Sequence, residues 1–128
     1  MTSADDDKVN ILLVDDQPAK LLTYEVILRE LGDNLIKASS GKEALEQLLK
    51  NEIAVVLMDI MMPQMDGYQT IAVIRENPEF RRLPIIALTA KAMKGDREKC
   101  LEAGASDYLA KPVNTEQLLS ALRMWLHR

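Results

Sequence analysis

The chain has 128 residues, of which 48% are hydrophobic, 28% charged and 4% aromatic, with a formal net charge of -4. That is the size of one domain with a core that needs no staples. The acidic balance argues against nucleic acid, which selects basic patches, and no apolar run approaches the roughly 18 residues of a membrane span.

The first eight residues, Met1 to Lys8, are polar and acidic through Asp5, Asp6 and Asp7. They do not form a secretory signal and read as a disordered tail before a folded unit over 9–128. Val9 to Val14 is short and nearly all apolar, the pattern of a strand buried on both faces of a parallel sheet. A helix follows, with Pro18 in its first turn, Leu21, Tyr24, Leu28 and Leu31 on one face, and Gly32 as its stop. Asn34 to Ala38 is a weaker strand, and Ala44, Leu45, Leu48 and Leu49 stripe a second helix. Ile53 to Met58 is a third strand, followed by a helix from Gly67 to about Glu76 that Pro78 limits. Leu83 to Leu88 is a fourth strand, and a helix over roughly Lys94 to Ala103 ends at Gly104. Ala105 to Leu109 is a weaker fifth strand, and the last helix starts near Thr115 with Leu118, Leu119, Leu122 and Leu126 on one face.

The order is strand then helix, five times over. It predicts an α/β fold, a five-stranded parallel sheet wound on both faces. Right-handed crossovers place every strand's carboxyl end on one edge, where ligands bind in such sheets.

That edge collects chemistry. The first strand runs into Asp15 and Asp16, the third into Asp59, the fourth into Thr89 and the fifth into Lys111. Crowded carboxylates repel, and one lysine does not balance three of them. A hard divalent cation such as Mg²⁺ is the natural missing partner for all-oxygen ligands. A site with Mg²⁺ and lysine suits a phosphoryl group, and a carboxylate such as Asp59 can act as its nucleophile. Thr89 can donate one hydrogen bond and Lys111 can pair with another oxygen. Taken singly, each residue has a plainer use. The acidic pair caps a helix, Thr89 bonds backbone, and Lys111 is a surface lysine. Their co-occurrence at four strand ends favours the functional reading.

At this point the sequence resembles the receiver domain of two-component response regulators, from about Val9 to Leu126. The resemblance rests on Ile-Leu-Leu-Val-Asp-Asp ending at Asp16 and Leu-Met-Asp-Ile-Met-Met-Pro-Gln-Met-Asp-Gly around Asp59. Leu-Thr-Ala at Leu88 to Ala90 and Gly-Ala-Ser-Asp-Tyr-Leu-Ala-Lys-Pro at Gly104 to Pro112 complete it. It implies a flavodoxin-like fold with strand order 2-1-3-4-5, and a signalling domain rather than an enzyme with a turnover substrate; the single cysteine, Cys100, separately suits a reducing cytoplasm. Asp59 would accept a phosphoryl group from phosphohistidine on a histidine kinase or a histidine phosphotransfer protein. Asp16, Asp59 and the backbone carbonyl of Met61 would ligate Mg²⁺, for which Mn²⁺ can substitute, with Asp15 acting through a metal-bound water. Lys111 would pair with phosphoryl oxygens, and the Lys111–Pro112 peptide would be cis. Thr89 would turn toward the phosphoryl group and Tyr108 would swing inward behind it. The face of the fourth helix, fifth strand and fifth helix would then shift and control a downstream protein partner.

Met61 and Lys91 stand at positions that vary across that family. Met61 cannot orient water by a strong hydrogen bond, so the phosphorylated state is expected to be of ordinary lifetime. Cys100 is expected half-buried, Trp125 packed on the last helix or a partner surface, and His127 frayed. The domain is expected as a monomer or weak homodimer, without nucleic-acid or membrane contact. It is either a stand-alone regulator or a part of a hybrid histidine kinase. An aspartate-nucleophile phosphatase needs Asp-x-Asp, and the sequence here is Asp59-Ile60-Met61. A dinucleotide-binding module needs a glycine-rich turn where Asp15-Asp16-Gln17-Pro18 stands. A receiver reduced to a docking surface would not need the full set of site residues.

Overall fold

The computed structural model describes residues 8–60, 67–89, 94–111 and 113–126. Met61, Met62, Lys91, Pro112, His127 and the tail 1–7 lie outside them, so the expectations placed on these residues have no structural counterpart.

Five strands form one parallel sheet in the order β2-β1-β3-β4-β5, as the resemblance implied. They are β1 (Asn10–Val14), β2 (Asn34–Ala38), β3 (Val55–Asp59), β4 (Ile85–Thr89) and β5 (Asp107–Ala110). The helices are α1 (Pro18–Leu28), α2 (Gly41–Lys50), α3 (Gly67–Glu76), α4 (Lys94–Ala103) and α5 (Thr115–Trp125).

The inner strands are buried on both faces, and their alternate residues divide between two cores. Leu12, Val14, Val56, Met58, Ile85 and Ala87 face α2, α3 and α4, where they meet Ala44, Leu48, Ile71, Ile74 and Cys100. Ile11, Leu13, Val55, Leu57, Ile86 and Leu88 face α1 and α5, where they meet Leu21, Tyr24, Leu28, Leu118 and Leu122. This division leaves only the strand ends open to polar groups.

The helix ends follow ordinary capping rules. Ser40 caps α2 by accepting from Glu43 N–H at 3.1 Å. Asn114 caps α5, which starts at Thr115 as expected, its Oδ1 accepting from the N–H groups of Glu116 and Gln117. Gly32 has φ +74°, the left-handed stop expected after the first helix. Two 3₁₀ turns, Arg29–Leu31 and Pro78–Phe80, extend the ends of α1 and α3 and were not expected from the hydrophobic pattern. Cys100 is fully buried, not half-buried, because the face of α4 that carries it lies against the sheet.

Candidate functional site

The carboxyl edge is fixed by backbone bonds that continue past the strands. Asp15 N–H donates to Ala38 O at 3.1 Å, Ile60 N–H to Leu88 O at 3.1 Å, and Lys111 N–H to Thr89 O at 2.7 Å. Asp15, Asp59, Thr89 and Lys111 are therefore set by the sheet ladder itself, which makes them precise. Asp59 and Thr89 are the last residues of β3 and β4, one place further into the sheet than their apolar runs suggest. Both are buried, as is Asp15, while Asp16 is partly exposed.

A glycine completes this edge. A Cβ on Gly67 would lie 2.5 Å from the Asp59 carbonyl oxygen and 2.5 Å from Ile60 Cα. Gly67 N–H also donates to Ile60 O at 2.7 Å. Only glycine lets α3 start this close to the Asp59 backbone. The sequence marks Gly67 as a helix start; its approach to Asp59 is a tertiary fact that no local pattern carries.

The side chains gather as expected. One carboxylate oxygen each from Asp15, Asp16 and Asp59 lies within 4.8 Å of the others. Lys111 Nζ donates to Asp59 Oδ1 at 2.6 Å. Such a pair is no argument for stability, since desolvation offsets the attraction. It places a cation against the oxygen of a candidate nucleophile. Asp15 Oδ1 accepts from Gln17 N–H at 3.0 Å, an Asx turn that leads into Pro18. The acidic pair thus supports the start of α1 without being its cap residue, which is Gln17.

Asp15 Oδ2 is buried and has no hydrogen-bond partner among the described residues. Burial pushes the Asp15 carboxyl above its usual range, and the charge of Asp59 adds to this. The Gln17 N–H, Lys111 and Lys20 oppose the rise without cancelling it. Beneath the cluster, burial and then the charges of Asp15 and Asp59 raise the Tyr24 phenol to about 12. The region therefore carries an excess of negative charge. An orphaned buried oxygen beside two more carboxylates is a donor set that fits a hard divalent cation.

Tyr108 lies on β5 beside α4, partly buried against the core on that face. Trp125 packs against the α1–α5 core, and its indole N–H donates to Asp107 Oδ2 at 3.2 Å. Sequence reasoning missed Arg75. Its guanidinium donates to Gly104 O at 2.8 Å, Phe80 O at 2.6 Å and Ser106 Oγ at 3.2 Å. Nothing in the sequence distinguishes Arg75 from an ordinary basic residue in a last helical turn.

The comparisons with known proteins agree with this geometry. The family model for the response regulator receiver domain matches residues 11–123. The signal transduction histidine-protein kinase BarA of Escherichia coli (strain K12) is 40% identical over 114 residues. That match covers 89% of this chain but only 12% of the kinase, so the chain spans about an eighth of that relative's length. A putative response regulator from Chloroflexus aurantiacus superposes with a TM-score of 0.89 at 36% identity, covering 94% of this chain and 99% of the other. The receiver domain of sensor histidine kinase PA1611 from Pseudomonas aeruginosa PAO1 gives a TM-score of 0.86 at 40% identity, with 94% and 99% covered. That structure is described with a magnesium ion coordinated in its active-site cleft.

Proposed function

Because the chain belongs to the response regulator receiver family, we propose that Asp59 is the phosphoacceptor of a two-component phosphorelay. Receiver domains work with histidine kinases or phosphotransfer proteins, and the donor here is phosphohistidine on such a partner. An Asp59 carboxylate oxygen attacks phosphorus, the phosphorus–nitrogen bond breaks, and the imidazole leaves. Lys111, already against Asp59 Oδ1, meets one phosphoryl oxygen. Thr89, at the neighbouring strand end, donates its hydroxyl to another. Asp16 and Asp59 would hold Mg²⁺, or Mn²⁺ in its place, with the Met61 carbonyl as the resemblance implies and with Asp15 acting through a metal-bound water. Mg²⁺ supplies positive charge that offsets the incoming oxyanions.

The observation that carries this reading is the imbalance at the strand ends among the described residues: three gathered carboxylates, one buried oxygen without a partner, and one lysine on Asp59. The charge added by phosphorylation is met by Thr89 and Lys111 in one arrangement of the edge only, which shifts Tyr108 and the face of α4, β5 and α5. A downstream protein reads that face. Among the described residues no helix is long and apolar enough to cross a membrane.

The test is incubation with acetyl phosphate and Mg²⁺, followed by peptide mapping of the adduct in a mass spectrometer. One phosphoryl group on the peptide containing Asp59, absent with EDTA, is expected. No adduct, or an adduct on another residue, contradicts the proposal.

A further inference from the structure

The sheet fixes the backbone of Tyr108 and leaves its ring to be placed by neighbours. Tyr108 pairs in register with Ala87, two residues before Thr89 on β4. Its N–H donates to Asp107 Oδ1 at 2.8 Å, and the same carboxylate accepts from the Trp125 indole through Oδ2. Asp107 is thereby tied to α5, and the Trp125 bond opposes sliding of the strand past that helix. Movement at this position is therefore rotation of the ring about its own side-chain bonds. The ring lies partly buried on the α4 side of β5, and a cation stands above it. The Arg97 guanidinium carbon, on the exposed face of α4, is 5.9 Å from the ring centroid. That is within the range over which a guanidinium is attracted to an aromatic face. The contact coexists with the Lys111–Asp59 ion pair, the arrangement in which the ammonium lies on the Asp59 Oδ1 oxygen itself.

We propose that Arg97 is a positioning residue for Tyr108, a cation that holds the ring against α4 while Asp59 is unmodified and so sets how readily phosphorylation moves it. This rests on the phosphoacceptor reading and adds a regulatory residue to it. A contact made in only one of two arrangements weights the population toward that arrangement. A cation–π contact at a solvent-facing site shifts such a balance by about two- to five-fold. Arg97 would thus hold back the phosphorylated conformation by that factor without touching the phosphoryl group.

The test is a double-mutant cycle read by calorimetric titration with beryllofluoride and Mg²⁺, which imitate the phosphoryl group. Arg97→Met keeps the aliphatic stem and removes the cation; it is expected to tighten binding about two- to five-fold. Arg97→Lys retains a cation and is expected to stay close to the parent protein. In a Tyr108→Ala background, Arg97→Met is expected to change nothing. Unchanged affinity in Arg97→Met, or an equal change with and without the ring, overturns the proposal. A second arm needs no ligand: the Tyr108 side-chain rotamer populations, from NMR scalar couplings. They are expected to shift in Arg97→Met and not in Arg97→Lys. If beryllofluoride binds none of the proteins, the phosphoacceptor reading fails, and unchanged rotamers then overturn the role of Arg97 as well.

Discussion

Two charged centres sit partly inside this fold, and they are treated in opposite ways. Arg75, at the end of α3, has its pKa lowered by burial and has no carboxylate partner among the described residues, yet carbonyls and the Ser106 hydroxyl meet its guanidinium on three sides. It ties the end of α3 to the 3₁₀ turn at Pro78–Phe80 and to the entry of β5. The cluster of Asp15, Asp16 and Asp59 is the reverse case. Its members lie closer together than like charges prefer, and Asp15 Oδ2 has no partner among the described residues. A satisfied buried charge is structural; an unsatisfied one is a place where something else binds. The contrast separates the residues that build this domain from those that work in it.

The largest effect expected on this contrast is functional. Asp59→Asn should abolish the phosphoryl adduct while the circular dichroism of the folded domain persists. A domain that still takes one phosphoryl group after this change breaks the assignment of the cluster. Next comes Arg75→Ala, which leaves the Gly104 and Phe80 carbonyls without their donor. It should cost about 2–4 kcal/mol in denaturant unfolding. The folded fraction should phosphorylate at the parent rate, because Arg75 does not reach the acidic cluster. A changed rate at full folding would erase the distinction.

Asp15→Asn sharpens the same contrast through pH. The folded Asp15 carboxyl titrates above its unfolded value, so the native state binds more protons than the unfolded one in that window. Its ionisation therefore costs stability as pH rises through the ordinary aspartate range toward the raised value, and the cost persists above it. In Mg²⁺-free buffer, Asp15→Asn should match the parent protein at low pH and exceed it on the order of 1 kcal/mol near neutrality. Urea unfolding at a series of pH values checks this, and a parent protein that gains relative to the variant with pH contradicts it. The smallest effect belongs to an exposed ion pair. Arg123 and Glu30 meet at 3.3 Å with both side chains largely in water. Glu30→Ala should shift unfolding by less than about 0.5 kcal/mol and leave phosphorylation alone.

What could be read from the amino-acid order, and what could not, divides along the same line. The apolar runs of β1, β3 and β4 and the stripes of α2 and α5 locate two cores because burial on both faces leaves a local trace. Asp59 and Thr89 are legible because each ends such a run, Lys111 because it follows the weaker fifth strand, and the parallel topology brings these ends to one edge. Helix α3 keeps the limits expected from Gly67 and Glu76, since a glycine and a following proline bound it. Asp59 and Thr89 fall inside β3 and β4, because each pairs with the neighbouring strand beyond its last apolar residue. The role of Arg75 was invisible, since its acceptors are backbone oxygens and the Ser106 hydroxyl, up to 31 residues away in sequence. The clearance at Gly67 and the ring contact of Arg97 are likewise products of chain crossings, not of local pattern. Cys100 was placed too near the surface because α4 is so polar that its one buried stripe is hard to see.

The central claim is that the acidic edge is incomplete without a divalent cation. Thermal unfolding of the parent protein, Asp15→Asn and Asp59→Asn across a Mg²⁺ titration tests it most directly. A ligand that binds only the folded state must raise Tm with its concentration. The parent Tm should climb through the millimolar range, with a much smaller rise in either variant. A parent Tm that stays level across the titration, or climbs equally in all three proteins, would contradict the account.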